Sequence, residues 1–223
     1  MTREQRFRIY EELGMLVGRL HSGYIFQTFG NVKKGENEQL ICDGQFHTWK
    51  EMFQEIIERQ IKEFDKTVFE ELAKAIHGYL LKNMHLIDYE IISRLLHMDL
   101  HPGNILINFG CDQDCFPIIC GLLDIEDALI GHNEYELMRI EKGSFEDAQD
   151  SDEYRTKFLS AYTKYVKLDD GYELRRPFYS LSRELVGMKC LLEYGLKYTQ
   201  AESVEEHMKN IELKIRKTIS DSE

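Results

Sequence analysis

The chain has 223 residues, 43% of them hydrophobic and 30% charged, with a formal net charge of −12. A chain of this length buries roughly 70% of its unfolded surface in a core without staples, and the acidic balance argues against a nucleic-acid partner, whose phosphates call for clustered Lys and Arg. No apolar run approaches the ~20 residues of a membrane helix, and the charged start Met1–Arg6 has no apolar stretch behind it, so the sequence predicts a cytoplasmic protein with no membrane partner.

Residues 4–21 predict an amphipathic helix, because Phe7, Tyr10, Leu13, Val17 and Leu20 recur at three- and four-residue steps. Residues 22–47 lose that period, carry Gly23, Gly30, Gly35 and Gly44, and predict a loop with one short strand. Thr48-Trp49-Lys50-Glu51 has capping-box spacing, in which a hydroxyl accepts an orphan amide and the carboxylate reaches back. It opens a helix with Met52, Phe53, Ile56, Ile57 and Ile61 inward. Thr67-Val68-Phe69-Glu70 repeats the spacing before a helix that runs to about residue 82, with Leu72, Ile76, Tyr79 and Leu80 on its apolar face.

Two short apolar runs, 104–109 and 117–123, flank polar turn residues and predict a β-hairpin. From 132 onward the pattern is helical: Tyr154, Phe158, Leu159, Tyr162 and Tyr165 share a face, Leu181, Leu185, Met188, Leu192 and Leu196 mark a long buried helix, and Ser203-Val204-Glu205-Glu206 caps a last one with Met208, Ile211 and Ile215 inward. The expected fold class is α+β, mostly helical with a small central β-hairpin. One domain spans 1–223, divided as 1–47 (first helix and loop), 48–96 (helical), 97–127 (loop, hairpin and a following acidic segment) and 128–223 (helical).

Five cysteines, an odd number, with no secretion signal predict free thiols. Cys111, Cys115 and Cys120 lie close together, but their spacing is not that of a zinc finger.

The chemistry concentrates in His97-Met98-Asp99-Leu100-His101-Pro102-Gly103-Asn104. Pro102 and Gly103 stop regular structure, so Asp99 and Asn104 are presented from one tight loop. The hairpin then returns the chain, so that Asp124 can sit beside them. Two carboxylates and an amide oxygen make an oxygen-rich site of the kind Mg²⁺ prefers. Phosphoryl transfer needs such a set: one acid for the proton of the attacking hydroxyl, and oxygen ligands for the metal on the triphosphate. The spacing D-x-x-x-x-N followed by a later Asp is that of kinase catalytic loops.

On these residues the chain resembles the aminoglycoside phosphotransferase and choline kinase family. His97 to Asn104 is similar to that family's His-Gly-Asp-Leu-His-Pro-x-Asn motif, and Asp124 to Leu137 is similar to the segment that follows it. Upstream, Leu13 to Ser22 resembles the first helix of the family's C-terminal lobe, with Phe29-Gly30 and Trp49 following in order. The resemblance implies the C-terminal lobe of a protein-kinase-like fold and a small-molecule kinase using Mg²⁺ and ATP or GTP. It implies Asp99 as catalytic base, Asn104 and Asp124 as metal ligands, and His97 and His101 as supports of the loop. Met98 stands where the family has glycine, His132-Asn133 where it has Asp-Pro, and Glu136 where it has Asp.

The resemblance also implies a nucleotide-binding lobe before residue 4, and no Gly-rich strand-turn-strand precedes the first helix. The expectation is therefore that the N-terminal β lobe is absent, through truncation or a late start, or is supplied by a partner chain. The acceptor is expected to be a small hydroxylated molecule, with Glu126, Asp127 and Glu134 as acidic candidates to meet a cationic one. Its pocket is expected to be built from the helices after 132 and the helix near 49–63. Two other readings compete. A kinase-lobe remnant would bind without catalysis. A metal-dependent hydrolase would use His97, Asp99 and His101, which alternate and would share one face of an extended strand.

Overall fold

The structure is a computed structural model and describes residues 1–109, 118–145, 149–198 and 203–221. The chain is mostly helical, and its contacts group into two units: Met1–Trp49 with Ile91–Tyr172, and Lys50–Glu90 with Glu173–Glu223.

The first unit opens with α1 (Arg3–Gly23), one residue longer at the start and two at the end than its apolar period predicts. Thr2 supplies a capping box: its hydroxyl accepts the Gln5 N–H, and the Gln5 side chain accepts the Thr2 N–H. The buried stripe Ile9, Leu13, Val17 and His21 faces α5 (Ser151–Tyr162), whose Tyr154, Phe158 and Tyr162 share its core. Contact is close because Gly14 and Gly18 lie on that side. A Cβ at Gly14 would come within 2.2 Å of the Phe158 carbonyl oxygen.

Five short strands follow α1 in the same unit: β1 (Ile25–Phe26), β2 (Gly30–Lys34), β3 (Leu40–Cys42), β4 (Ser93–Leu96) and β7 (Leu129–Gly131). They form one antiparallel sheet in the order β1-β4-β7-β2-β3. The sequence predicts only one short strand within 22–47, helix over 48–96 and helix from 128. The structure corrects all three. The strands have two to five residues, too few for an alternating pattern to stand out, and β4 is buried at every position.

The predicted hairpin is present as β5 (Ile105–Asn108) and β6 (Ile118–Leu122), paired antiparallel with an irregularity between Leu106 and Ile107. Glu12 of α1 accepts the Ile119 N–H at 2.9 Å and ties the hairpin to that helix. Cys111 and Cys115 lie outside the described residues, so the cysteine cluster does too. After β7 comes α4 (Asn133–Ser144), eight of whose residues are buried.

The second unit holds most of α2 (Trp49–Lys62), α3 (Glu70–Lys82), nearly all of α6 (Tyr172–Tyr194) and α7 (Val204–Asp221). Its core includes Phe53, whose ring lies 5.3 Å from those of Phe178 and Tyr179. Two local expectations change. Thr67 accepts the Phe69 N–H and Glu70 the Lys66 N–H, so the predicted reciprocal box before α3 is not formed. The α-helix predicted through Leu196 ends at Tyr194, where Gly195 adopts φ +59° and a 3-10 turn, Gly195–Tyr198, follows. Among the described residues no helix is long and apolar enough to cross a membrane.

Candidate active site

β4 delivers the chain into the loop 97–104. The segment is not an extended strand: Pro102–Asn104 forms a single 3-10 turn, and its amide Asn104 N–H returns to the His101 carbonyl at 2.9 Å. The His101 ring caps the turn, its Nδ1 accepting from Gly103 N–H at 3.1 Å. Asn104 is buried, and its side-chain Nδ2 donates both to the Asp99 carbonyl (2.9 Å) and to Asp99 Oδ2 (2.8 Å). The Asp99 carboxylate is therefore aimed by a neutral amide, while its side chain stays about one-third exposed. His101 Nε2 lies 3.7 Å from the same carboxylate oxygen.

The hairpin returns the chain to the loop at Asn104. Leu123 N–H donates to the Asn104 carbonyl at 2.9 Å, so Asp124 follows directly on a residue bonded to Asn104. Asp124 is exposed and holds φ +61°, a left-handed conformation that Asp tolerates better than most residues. Glu126 and Asp127 are exposed on the turn closed by Ala128 N–H to the Ile125 carbonyl. Glu134 is not on this surface: it sits in the first turn of α4, 3% exposed, with Oε1 3.8 Å from His132 Nε2.

His97 is buried and braces the loop, its Nδ1 accepting the Asp99 N–H at 3.4 Å, and its Nε2 is buried without a hydrogen-bond partner. Among the described residues no group of three or more His, Cys, Asp or Glu side chains is arranged to hold a metal ion. The His97, Asp99 and His101 set thus lacks the strand that would align it. The oxygen set of Asp99, Asn104 and Asp124 is a different case, since one member is an amide. Asn104 Nδ2 is turned to Asp99, and the amide oxygen of Asn104 and the Asp124 carboxylate are the hard donors that could hold Mg²⁺.

Beneath the loop lies a buried polar network that motif spacing alone does not reveal. Met98 takes φ +71° with its side chain 4% exposed, and its N–H donates to Glu136 Oε1 at 2.5 Å. Glu136 Oε2 accepts from His21 Nε2 at 2.7 Å, and His21 Nδ1 meets the Tyr162 hydroxyl at 2.9 Å. Asn133 Nδ2 donates to the same hydroxyl, and Arg94 donates to the His21 carbonyl. Burial pushes the Glu136 carboxyl up, but His21 and the backbone N–H groups of Met98 and His97 outweigh it and hold the carboxyl below its ordinary range. Burial also raises the Tyr162 phenol, keeping it protonated. His21 carries two sequence signals: its phase, four residues after Val17 and eight after Leu13 on the buried stripe of α1, and its place in the Leu13–Ser22 segment.

A family profile described as the phosphotransferase enzyme family matches residues 1–178. Among solved structures, a protein assigned as a fructosamine-3-kinase from Thermobifida fusca YX-ER1 aligns with a TM-score of 0.60 at 19% identity, covering 96% of this chain and 66% of that one. A second such protein, from Haemophilus somnus 129PT, aligns with a TM-score of 0.55 at 15% identity, covering 96% and 65%. The ADP-bound aminoglycoside phosphotransferase APH(2'')-Ib aligns at 0.50 and 14% identity, covering 100% and 67%. The chain thus spans about two thirds of the length of these structures, and the likeness shows a shared fold. A search of curated proteins gave no significant match.

Proposed function

The chain belongs to the phosphotransferase enzyme family, and we propose that it transfers the γ-phosphoryl group of ATP or GTP to a hydroxyl of a small molecule. The observation that carries this reading is the Asp99–Asn104 pair: a carboxylate about one-third exposed, fixed by a buried amide, with Asp124 next in line.

Asp99 would accept the proton of the attacking hydroxyl, and its fixed orientation keeps that oxygen in reach of the acceptor. Asn104 and Asp124 would hold Mg²⁺, which neutralises charge on the transferring phosphates. His101 would orient the loop's 3-10 turn, and His97 would brace Asp99 from below. On the hairpin beside Asn104, Leu106 and Ile118 are half exposed, an apolar surface suited to the flat face of a purine. A net charge of −12 and the exposed Glu126 and Asp127 favour a cationic acceptor, and the names of the solved relatives point to amine-bearing sugars.

The test is phosphate transfer from labelled ATP or GTP, with Mg²⁺, to a panel of ketosamines, aminoglycosides, amino alcohols and neutral sugars. Transfer to one class, lost by about 10²–10⁴-fold in Asp99→Asn, is the expected result. Full activity in that variant would remove Asp99 from the chemistry. Nucleotide binding without transfer to any acceptor would favour a non-catalytic binding protein.

A further inference from the structure

We propose that Glu12, on α1, is a positioning residue for Asp124, acting through a bulge in the β5–β6 hairpin. It rests on the reading of Asp124 as a metal ligand and extends that reading to the first helix.

The hairpin does not run in one register. Ile107 pairs with Ile119, but Leu106 pairs with Gly121 and Ile105 with Leu122, so β6 carries one extra residue, Cys120, between the two stretches. That is a β-bulge, which leaves its extra residue unpaired and displaces everything beyond it by one position. Continued from Ile107 and Ile119 without the bulge, the pairing would set Leu122 opposite Asn104. With the bulge Leu123 takes that place, its N–H donating to the Asn104 carbonyl at 2.9 Å. Asp124 is then the next residue after the contact instead of the second. The side chains agree with the shift. Ile119 is buried and Leu122 packs against the same core, although residues three apart on a regular strand point to opposite faces.

Two side chains close the bulge. The Ile119 N–H, just before the extra residue, donates to Glu12 Oε2 at 2.9 Å, and the Cys120 thiol meets the Leu106 carbonyl at 3.4 Å. Glu12 is carried by a helix whose Ile9, Leu13 and Val17 share a core with Ile105 and Ile119. A charged acceptor on a packed helix thus fixes the strand one residue before its register changes. Without that acceptor the part-buried N–H is drawn back to the ladder, and the slip turns residues 121 to 123 to the other face. Packing of Leu122 opposes the slip, so the chain without Glu12 is divided between two registers.

Two variants separate positioning from packing. Glu12→Gln keeps an acceptor oxygen at the same reach. Glu12→Met keeps the length and the helix propensity but accepts no N–H of this kind. Amide hydrogen exchange of the full chain, with no substrate or metal, reads the register at Leu123. In Glu12→Gln the Leu123 amide is expected to exchange as in wild type. In Glu12→Met it is expected to exchange about tenfold faster relative to the amides of Phe158 and Tyr162 in α5, which report opening of the same unit.

In the transfer assay Glu12→Met is expected to raise the Mg²⁺ concentration for half-maximal rate by about tenfold with KM for the acceptor unchanged, since Asp124 is displaced and Asp99 is not. Equal acceleration at Leu123 and in α5, or an unmoved Leu123 amide in folded Glu12→Met, would overturn the proposal. Should Glu12→Met fail to fold, the wild type decides: a cross-peak between the Ile119 amide and the Glu12 γ-methylene protons is expected, and its absence overturns it. Because exchange needs no substrate, lack of transfer in the wild type would count against the phosphotransferase reading alone.

Discussion

Met98 offers a direct measure of how much strain the loop 97–104 carries. Its side chain is 4% exposed, so Met98→Ala removes a core contact, at a cost of about 2–5 kcal/mol. The alanine still carries a Cβ at φ +71°, and that left-handed penalty is about 1–2 kcal/mol. Met98→Gly loses the same side chain but releases the penalty, against about 0.5–1 kcal/mol of extra chain entropy in the unfolded state. The glycine variant is therefore expected to be more stable than the alanine variant by about 0.5–1 kcal/mol, the reverse of the usual order. With a urea m-value of about 2–3 kcal/mol/M, the midpoints should differ by about 0.2–0.5 M, both well below wild type. Trp49 is the sole tryptophan, is 1% exposed and belongs to the same unit as Met98, so its fluorescence follows the relevant transition. An alanine midpoint above the glycine midpoint would refute the left-handed assignment and the strain argument built on it.

Acid sensitivity should trace to Glu136. Its folded carboxyl lies below the ordinary value near 4.3, so its stabilisation is complete above that value and is lost as pH falls through the depressed folded value. Urea midpoints measured from pH 7 to pH 3 should fall in wild type below about pH 4.5 and fall less steeply in Glu136→Gln, which should already be weaker at pH 7 by about 1–3 kcal/mol. Parallel curves would exclude the carboxylate as the source. Helix contact gives a paired prediction: Gly14→Ala drives a Cβ to 2.2 Å from the Phe158 oxygen and should cost about 1–3 kcal/mol. Gly78→Ala in α3 meets nothing within 4 Å and should stabilise by about 0.5–1 kcal/mol. Thermal unfolding of both proteins checks the contrast.

The readability of this chain follows the range of the interactions involved. Helices α1, α2 and α3 announced themselves because a one-sided core imposes a 3.6-residue period, and Leu13, Val17, Met52, Phe53, Ile76 and Leu80 are buried as that period requires. The sheet did not, because strands as short as Ile25–Phe26 and Leu129–Gly131 are specified by partners far away: Ile130 pairs with both Gly30 and Leu95. Pairings of that kind leave no local mark on either segment. The chemical residues were legible for the opposite reason. Asp99 and Asn104 must meet within one loop, so their spacing is written in eight consecutive residues. Glu134, one of the acids expected to meet a cationic acceptor, lies in the first turn of α4 and is 3% exposed, a burial that charge alone does not announce.

The departures at Met98 and Glu136, 38 residues apart in the sequence, are the two ends of one hydrogen bond. That suggests they are coupled: a longer acid at 136 reaches a loop whose turn is held by a residue with a side chain. A double-mutant cycle decides it. Glu136→Asp shortens the acid by one methylene and should break the bond to the Met98 N–H, or the bond from His21, since one carboxylate no longer spans both. Met98→Gly lets the peptide move toward the shortened acid at little conformational cost. The double variant should therefore be less destabilised than the sum of the singles, with a coupling of about 0.5–3 kcal/mol as found for residues in direct contact. Urea unfolding of the four proteins gives the number. Additivity to within about 0.5 kcal/mol would mean that the two departures arose independently and that the Met98 turn is held by the rest of the loop, by His97, His101 and Asn104, without depending on the length of the acid beneath it.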